Sequence, residues 1–193
     1  RTHHGGGLAE MDLLLPRIFT KPQTVMVMDS RASVAEEQGE LPFASLVKVP
    51  APGDIARTEH RVTPQAQPDG WADTRIYYLT SGRTASAAEH LATIFKYTGR
   101  ATLIGDTTAG AGNYGGTVDL PGGYSAFIPF GHSYFPGTQG WEGTGVAPDI
   151  AVAPEQALTE ALVLSGVPRE AAEALSASHV PGEPMVRRVP LVH

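Results

Sequence analysis

The chain contains no cysteine, which excludes disulfides, thiol nucleophiles and cysteine-ligated metals. It is also short of positive charge. Fourteen Lys and Arg against 20 Asp and Glu give a formal net charge of -6, so the composition lacks the basic footprint that holds nucleic acid. The one basic doublet, Arg187-Arg188, lies near the C-terminus. Long apolar runs are missing too: Met11-Asp12-Leu13-Leu14-Leu15-Pro16 is broken by a carboxylate and a proline, well short of the roughly 20 residues a membrane-spanning helix needs. The seven histidines form no His-x-x-x-His or His-Glu-x-x-His pattern, so a zinc enzyme has no motif here.

What is present in quantity is glycine and proline, 22 and 16 residues, which punctuate many short elements. An apolar fraction of 41% over 193 residues suits one well-filled core. The chain opens on Arg1-Thr2-His3-His4 without Met, which reads as a piece of a longer protein. Gly5-Gly6-Gly7 precedes a helical period, Leu8, Met11, Leu14, Leu15 and Ile18, and can present backbone N–H groups to an anion. Thr24 to Met28 reads as a buried strand. Residues 32–72 read as a polar surface excursion with a short strand at Val47 and Val49. Arg75–Leu79 and Ala101–Ile104 flank a helical pattern from Ala85 to Thr98, stopped by Gly99, which makes a β-α-β unit. A Gly-rich loop from Asp106, a hairpin over Pro121-Gly122-Gly123, a loop carrying Glu142, helices at 154–165 and 168–177, and an extended tail from Ser178 complete the order.

Ser86 stands where the strand-turn-helix junction could raise a nucleophile, beside the N–H groups and positive dipole end of the helix. The same serine begins a Ser-x-x-Glu capping box with Glu89, so local sequence alone reads it as a cap. Glu142, boxed between Trp141 and Gly143, could orient a neighbouring base, although alone it reads as a solvated loop carboxylate.

Four stretches together alter that balance. The Gly5-Gly6-Gly7 loop, Thr84-Ala85-Ser86-Ala87-Ala88-Glu89, Gly105-Asp106-Thr107-Thr108-Ala109-Gly110, and Trp141-Glu142-Gly143-Thr144-Gly145-Val146-Ala147-Pro148-Asp149 resemble, in order and spacing, the C-terminal processing peptidase (tail-specific protease) superfamily. Within it the chain is most similar to the branch of the interphotoreceptor retinoid-binding protein modules and tricorn-like peptidases.

The resemblance implies a ClpP/crotonase-like α/β fold, with a catalytic core over 1–165 and a helix and tail over 166–193. It implies a serine-type peptidase acting near substrate C-termini without cofactor or metal, on a peptide or protein substrate, with a homo-oligomer allowed and an extracytoplasmic setting favoured. Ser86 matches the nucleophile and Glu142 the glutamate of the tricorn-like branch. Oxyanion donors would be the Ala87 N–H and an N–H of Gly6 or Gly7. The lysine base of the processing peptidases falls at Ala111, which removes a Ser-Lys dyad. In the tricorn-like branch the base is a histidine from a region that would precede Arg1, and within this chain His132 could be a substitute. A non-catalytic ligand- or peptide-binding module of the same fold is the alternative.

Overall fold

A computed structural model describes residues 2–39, 41–66 and 70–179. Two compact units divide the chain, residues 1–157 and 158–193. In the first, helix α1 (Ala9–Ile18) follows the glycine loop and is succeeded by β1 (Gln23–Arg31), α2 (Ala32–Gln38), β2 (Leu46–Val49) and β3 (Ile55–Val62). Next come β4 (Tyr77–Thr80), α3 (Ala87–Thr98) and β5 (Thr102–Gly105), then the hairpin β6 (Asn113–Leu120) and β7 (Tyr124–Tyr134), and the short β8 (Ile150–Ala151). Helix α4 (Ala157–Leu164) begins at the division and α5 (Arg169–Ser178) follows it, with an ion pair between Arg169 and Glu160 at 2.8 Å inside the second unit. The tail expected from Ser178 lies outside the described residues from 180 onward.

Two sheets result. An antiparallel sheet runs β2-β3-β1-β7-β6, and a parallel one runs β4-β5-β8. The β4-α3-β5 unit is the one the sequence pattern predicts, with Tyr77 to Thr80 in register with Thr102 to Gly105. Gly99 ends α3 in the left-handed region (φ 66°), and its N–H caps the Phe95 and Lys96 carbonyls. The apolar stripes of α1 and α3 meet in the core: Met11, Leu15 and Ile18 from one, Ala92, Ile94 and Phe95 from the other, with Val25, Met26, Leu103 and Trp141.

Residues 32–72 depart from the surface excursion read in the sequence. They supply α2, β2 and β3, and β3 pairs with β1 from Gln23↔Val62 to Arg31↔Ile55. The signal was hidden because β3, Ile-Ala-Arg-Thr-Glu-His-Arg-Val, carries polar side chains that find partners inside the fold. Arg57 grips the Asp29 carboxylate through two hydrogen bonds of 2.7 Å, Glu59 accepts from Thr24 and Arg61, and His60 meets His90 at 3.1 Å. The hydrogen bonds of Arg57 hold Asp29 below the usual carboxylate range.

Candidate active site

The turn Ser81-Gly82-Arg83-Thr84 joins β4 to α3, pinned by the Thr84 N–H on the Ser81 carbonyl (2.8 Å) and the Ser81 N–H on the Thr84 hydroxyl (3.1 Å). Ser86 comes out of this turn with φ 56° and ψ -124°, and among the described residues it is the one non-glycine with positive φ. Such a conformation costs on the order of 1–3 kcal/mol and persists where the surroundings impose it. The side chain is exposed, while Ala87 to Phe95 behind it are buried apart from the partly buried Leu91. Ser86 thus stands at the open head of a buried helix. Ala87 occupies the first turn, where N–H groups have no acceptor within the helix.

The glycine loop closes on this point from the far end of the sequence. A Cβ on Gly5 would stand 2.7 Å from both the Ala85 carbonyl and Ser86 Cβ, and 2.9 Å from the Ala87 nitrogen. The His3 carbonyl accepts from the Ala85 N–H at 3.2 Å, and the Gly5 N–H donates to His3 Nδ1 at 3.1 Å. The member of the loop packed on Ser86 is Gly5. Both Gly6 and Gly7 face open space. Gly5→Ala, with φ at 98° and no room for Cβ, is expected to push the loop off Ser86 and lower Ser86 reactivity toward a serine reagent at least about tenfold. Labelling kinetics on the variant, beside its thermal unfolding, check this.

Glu89 does far more than cap. It is fully buried, and its two oxygens accept from the Thr108 hydroxyl (2.5 Å) and the N–H groups of Gly110 (2.7 Å), Ala111 (2.8 Å) and Ser86 (2.9 Å). One oxygen therefore serves both Ser86 and Ala111, which brings the 108–111 loop against the Ser86 turn. Thr108 passes the link on, accepting from the Val146 N–H at 2.7 Å. Burial, and next the Glu89 charge, push the Tyr78 phenol up to about 12. The sequence signal for Glu89 was the capping box; its partners in the glycine-rich loop could not be read from spacing.

Glu142 and His132 attach to the next part of that loop. The Glu142 carboxylate accepts from the Gly112 and Asn113 N–H groups at 2.7 Å each. The Asn113 side chain meets His132 Nδ1 at 2.9 Å, and His132 Nε2 lies 3.0 Å from the Gln139 carbonyl. The fold links Glu142 to His132 through Asn113; neither side chain hydrogen-bonds to Ser86, and the connection toward it runs along the 110–112 backbone to Glu89. No three His, Cys, Asp or Glu side chains among the described residues are grouped to hold a metal ion, and no helix among them is long and apolar enough to cross a membrane.

The sequence profile described as Peptidase family S41 matches residues 1–152. This chain belongs to peptidase family S41. Solved structures share its fold: a photosystem II D1 C-terminal processing protease (23% identity, TM-score 0.51, covering 78% of this chain and 33% of that one), mature CPAF (16%, 0.59, 79% and 38%), and a lipoprotein from Streptococcus agalactiae (17%, 0.52, 83% and 50%). The α/β architecture is the ClpP/crotonase-like one that the resemblance implied. The chain spans between a third and a half of the length of these three structures.

Proposed function

We propose that this S41 chain carries the nucleophile and oxyanion side of a serine peptidase, hydrolysing peptide bonds near substrate C-termini through an acyl-enzyme on Ser86. The observation that carries this reading is the junction itself: an exposed serine in a strained strand-to-helix turn, with a glycine loop against its backbone. A carbonyl carbon attacked by Ser86 Oγ would place its developing oxyanion near the Ala87 N–H and an N–H of Gly6 or Gly7, since the Gly5 N–H is taken by His3. A serine is a weak nucleophile until a base takes its proton. His132 fills that role in this reading once its ring leaves Asn113 or Gln139, and Glu142 holds the 112–113 backbone that bears Asn113.

A second reading is a peptide- or ligand-binding module of the same fold. It is favoured by alanine at position 111 and by the engagement of both His132 nitrogens. Treatment with a fluorophosphonate followed by peptide mass mapping separates the two. The peptidase reading expects one adduct, on the peptide carrying Ser86, lost in Ser86→Ala; an unlabelled Ser86 in the folded protein selects the binding module.

A further inference from the structure

The glycine loop has to be set in place before it can offer N–H groups at Ser86, and glycine brings no side chain with which to set it. Gly5, Gly6 and Gly7 each lose more backbone freedom on ordering than any other residue type would. A Cβ on Gly6 or Gly7 would meet nothing within 4 Å, so packing does not hold these two. The loop is fixed from its ends. On one side Leu8 packs against the core as the chain enters α1. On the other side stands His3.

His3 holds two backbones at once. Its carbonyl accepts from the N–H of Ala85, the residue before Ser86, at 3.2 Å, and its ring Nδ1 accepts from the Gly5 N–H at 3.1 Å. One residue thus ties the glycine loop to the serine turn. A ring nitrogen that accepts carries no hydrogen, so this imidazole is neutral with its hydrogen on Nε2. The contact reaches two positions along the chain, as an Asn or Asp side chain does when it takes the N–H two residues on in an Asx turn.

Taking the Gly5 N–H leaves those of Gly6 and Gly7 as the donors the loop can present. The ring does not act as the base for Ser86 in this arrangement, because Nδ1 is occupied and Nε2 bears the hydrogen. His132 connects toward Ser86 by way of Asn113, the 110–112 backbone and Glu89, whereas His3 bonds to the adjoining residue. We propose that His3 is a positioning residue: its ring acceptor and its carbonyl together set the Gly5-Gly6-Gly7 loop against the Ser86 turn, and through this the Gly6 or Gly7 N–H reaches the developing oxyanion. The proposal rests on the reading of Ser86 as a nucleophile.

The test compares the whole chain as wild type, His3→Ala, His3→Asn and, for the neighbouring position, His4→Ala, by the rate of fluorophosphonate labelling at Ser86. The phosphoryl oxygen of the reagent uses the same donors as a carbonyl oxygen, and misplacing them by about 1 Å costs up to about a hundredfold. His3→Ala is therefore expected to label about tenfold or more slowly. His3→Asn should stay within about threefold of wild type, because its Oδ1 can take the Gly5 N–H. His4→Ala should match wild type. His3 is exposed, so the unfolding temperature should not change in any of these variants.

Amide NMR spectra add a readout that needs no reactivity. The Ser86 and Ala87 signals, far from position 3 in sequence, should move in His3→Ala and return in His3→Asn. Undiminished labelling in His3→Ala, equal slowing in His3→Ala and His3→Asn, or unmoved Ser86 and Ala87 signals overturns the proposal, and labelled wild type then leaves the nucleophile standing. A wild type that takes no label, with the amide signals moved in His3→Ala and restored in His3→Asn, removes acylation at Ser86 and keeps His3 as the residue that sets the loop.

Discussion

Glu89→Leu is expected to remove a large part of the stability of the first unit. The carboxylate is fully buried and receives four donors: the Ser86, Gly110 and Ala111 N–H groups and the Thr108 hydroxyl. Leucine fills similar space but accepts nothing, and each buried donor left without a partner costs about 1–3 kcal/mol. The Thr108 hydroxyl and the Gly110 N–H are the buried pair among the four, and together they cost about 2–6 kcal/mol, a large part of the roughly 5–15 kcal/mol that holds a domain folded. Urea unfolding checks it; a midpoint close to wild type would show that the four donors find other acceptors. Glu89→Gln separates stability from reactivity. Its amide must turn an NH2 toward two of the donors, which costs about 1–3 kcal/mol while leaving the fold intact. Fluorophosphonate labelling of Ser86 in that variant is expected to slow at least about tenfold, because the Ser86–Ala111 link is what sets the turn.

Acid is expected to unfold the protein through the His60–His90 pair. The two rings are 3.1 Å apart at their facing nitrogens, both buried, with Asp12 Oδ1 3.8 Å from His60 Nε2 on the outer side. Burial, and next the neighbouring His60, lower His90 from 6.5 to about 3, and burial lowers His60 against the opposing pull of Asp12. Both groups bind protons more readily in the unfolded chain, so their contribution is whole above about pH 6.5 and is lost as pH falls toward 3. For His90 alone, about 2.5 pH units between 6.5 and 4 amount to about 3 kcal/mol. Urea midpoints measured from pH 7 to pH 4 should fall accordingly. In the double variant His60→Leu/His90→Phe, which orphans neither ring, the fall should be shallower by about that amount. Parallel profiles for the two proteins would refute the assignment.

What the sequence made legible follows from how local each signal was. The β4-α3-β5 unit, the Pro121-Gly122-Gly123 hairpin and the stop at Gly99 rest on periodicity and turn chemistry within a few residues; the unit and the stop stand close to their expected bounds, while the hairpin strands run on to Asn113 and Tyr134. β3 was missed because its polar side chains pair with residues far along the chain, as Arg57 does with Asp29 and His60 with His90. Ser86 stands at the junction that the pattern predicts, but that Gly5 is the residue of the glycine loop packed on it depends on a left-handed φ and a backbone approach that spacing does not encode. Glu89 showed half of its role, the reach back to Ser86; the half directed at Thr108, Gly110 and Ala111 is tertiary.

The contact between Gly5 and Ser86 also closes a loop of about 80 residues, whose closure entropy the contacts inside it must offset. The backbone approach at Ser86 therefore depends on the elements folded between the two positions. A change in α1, β1 or β3 that loosens that interval reaches the serine without touching it.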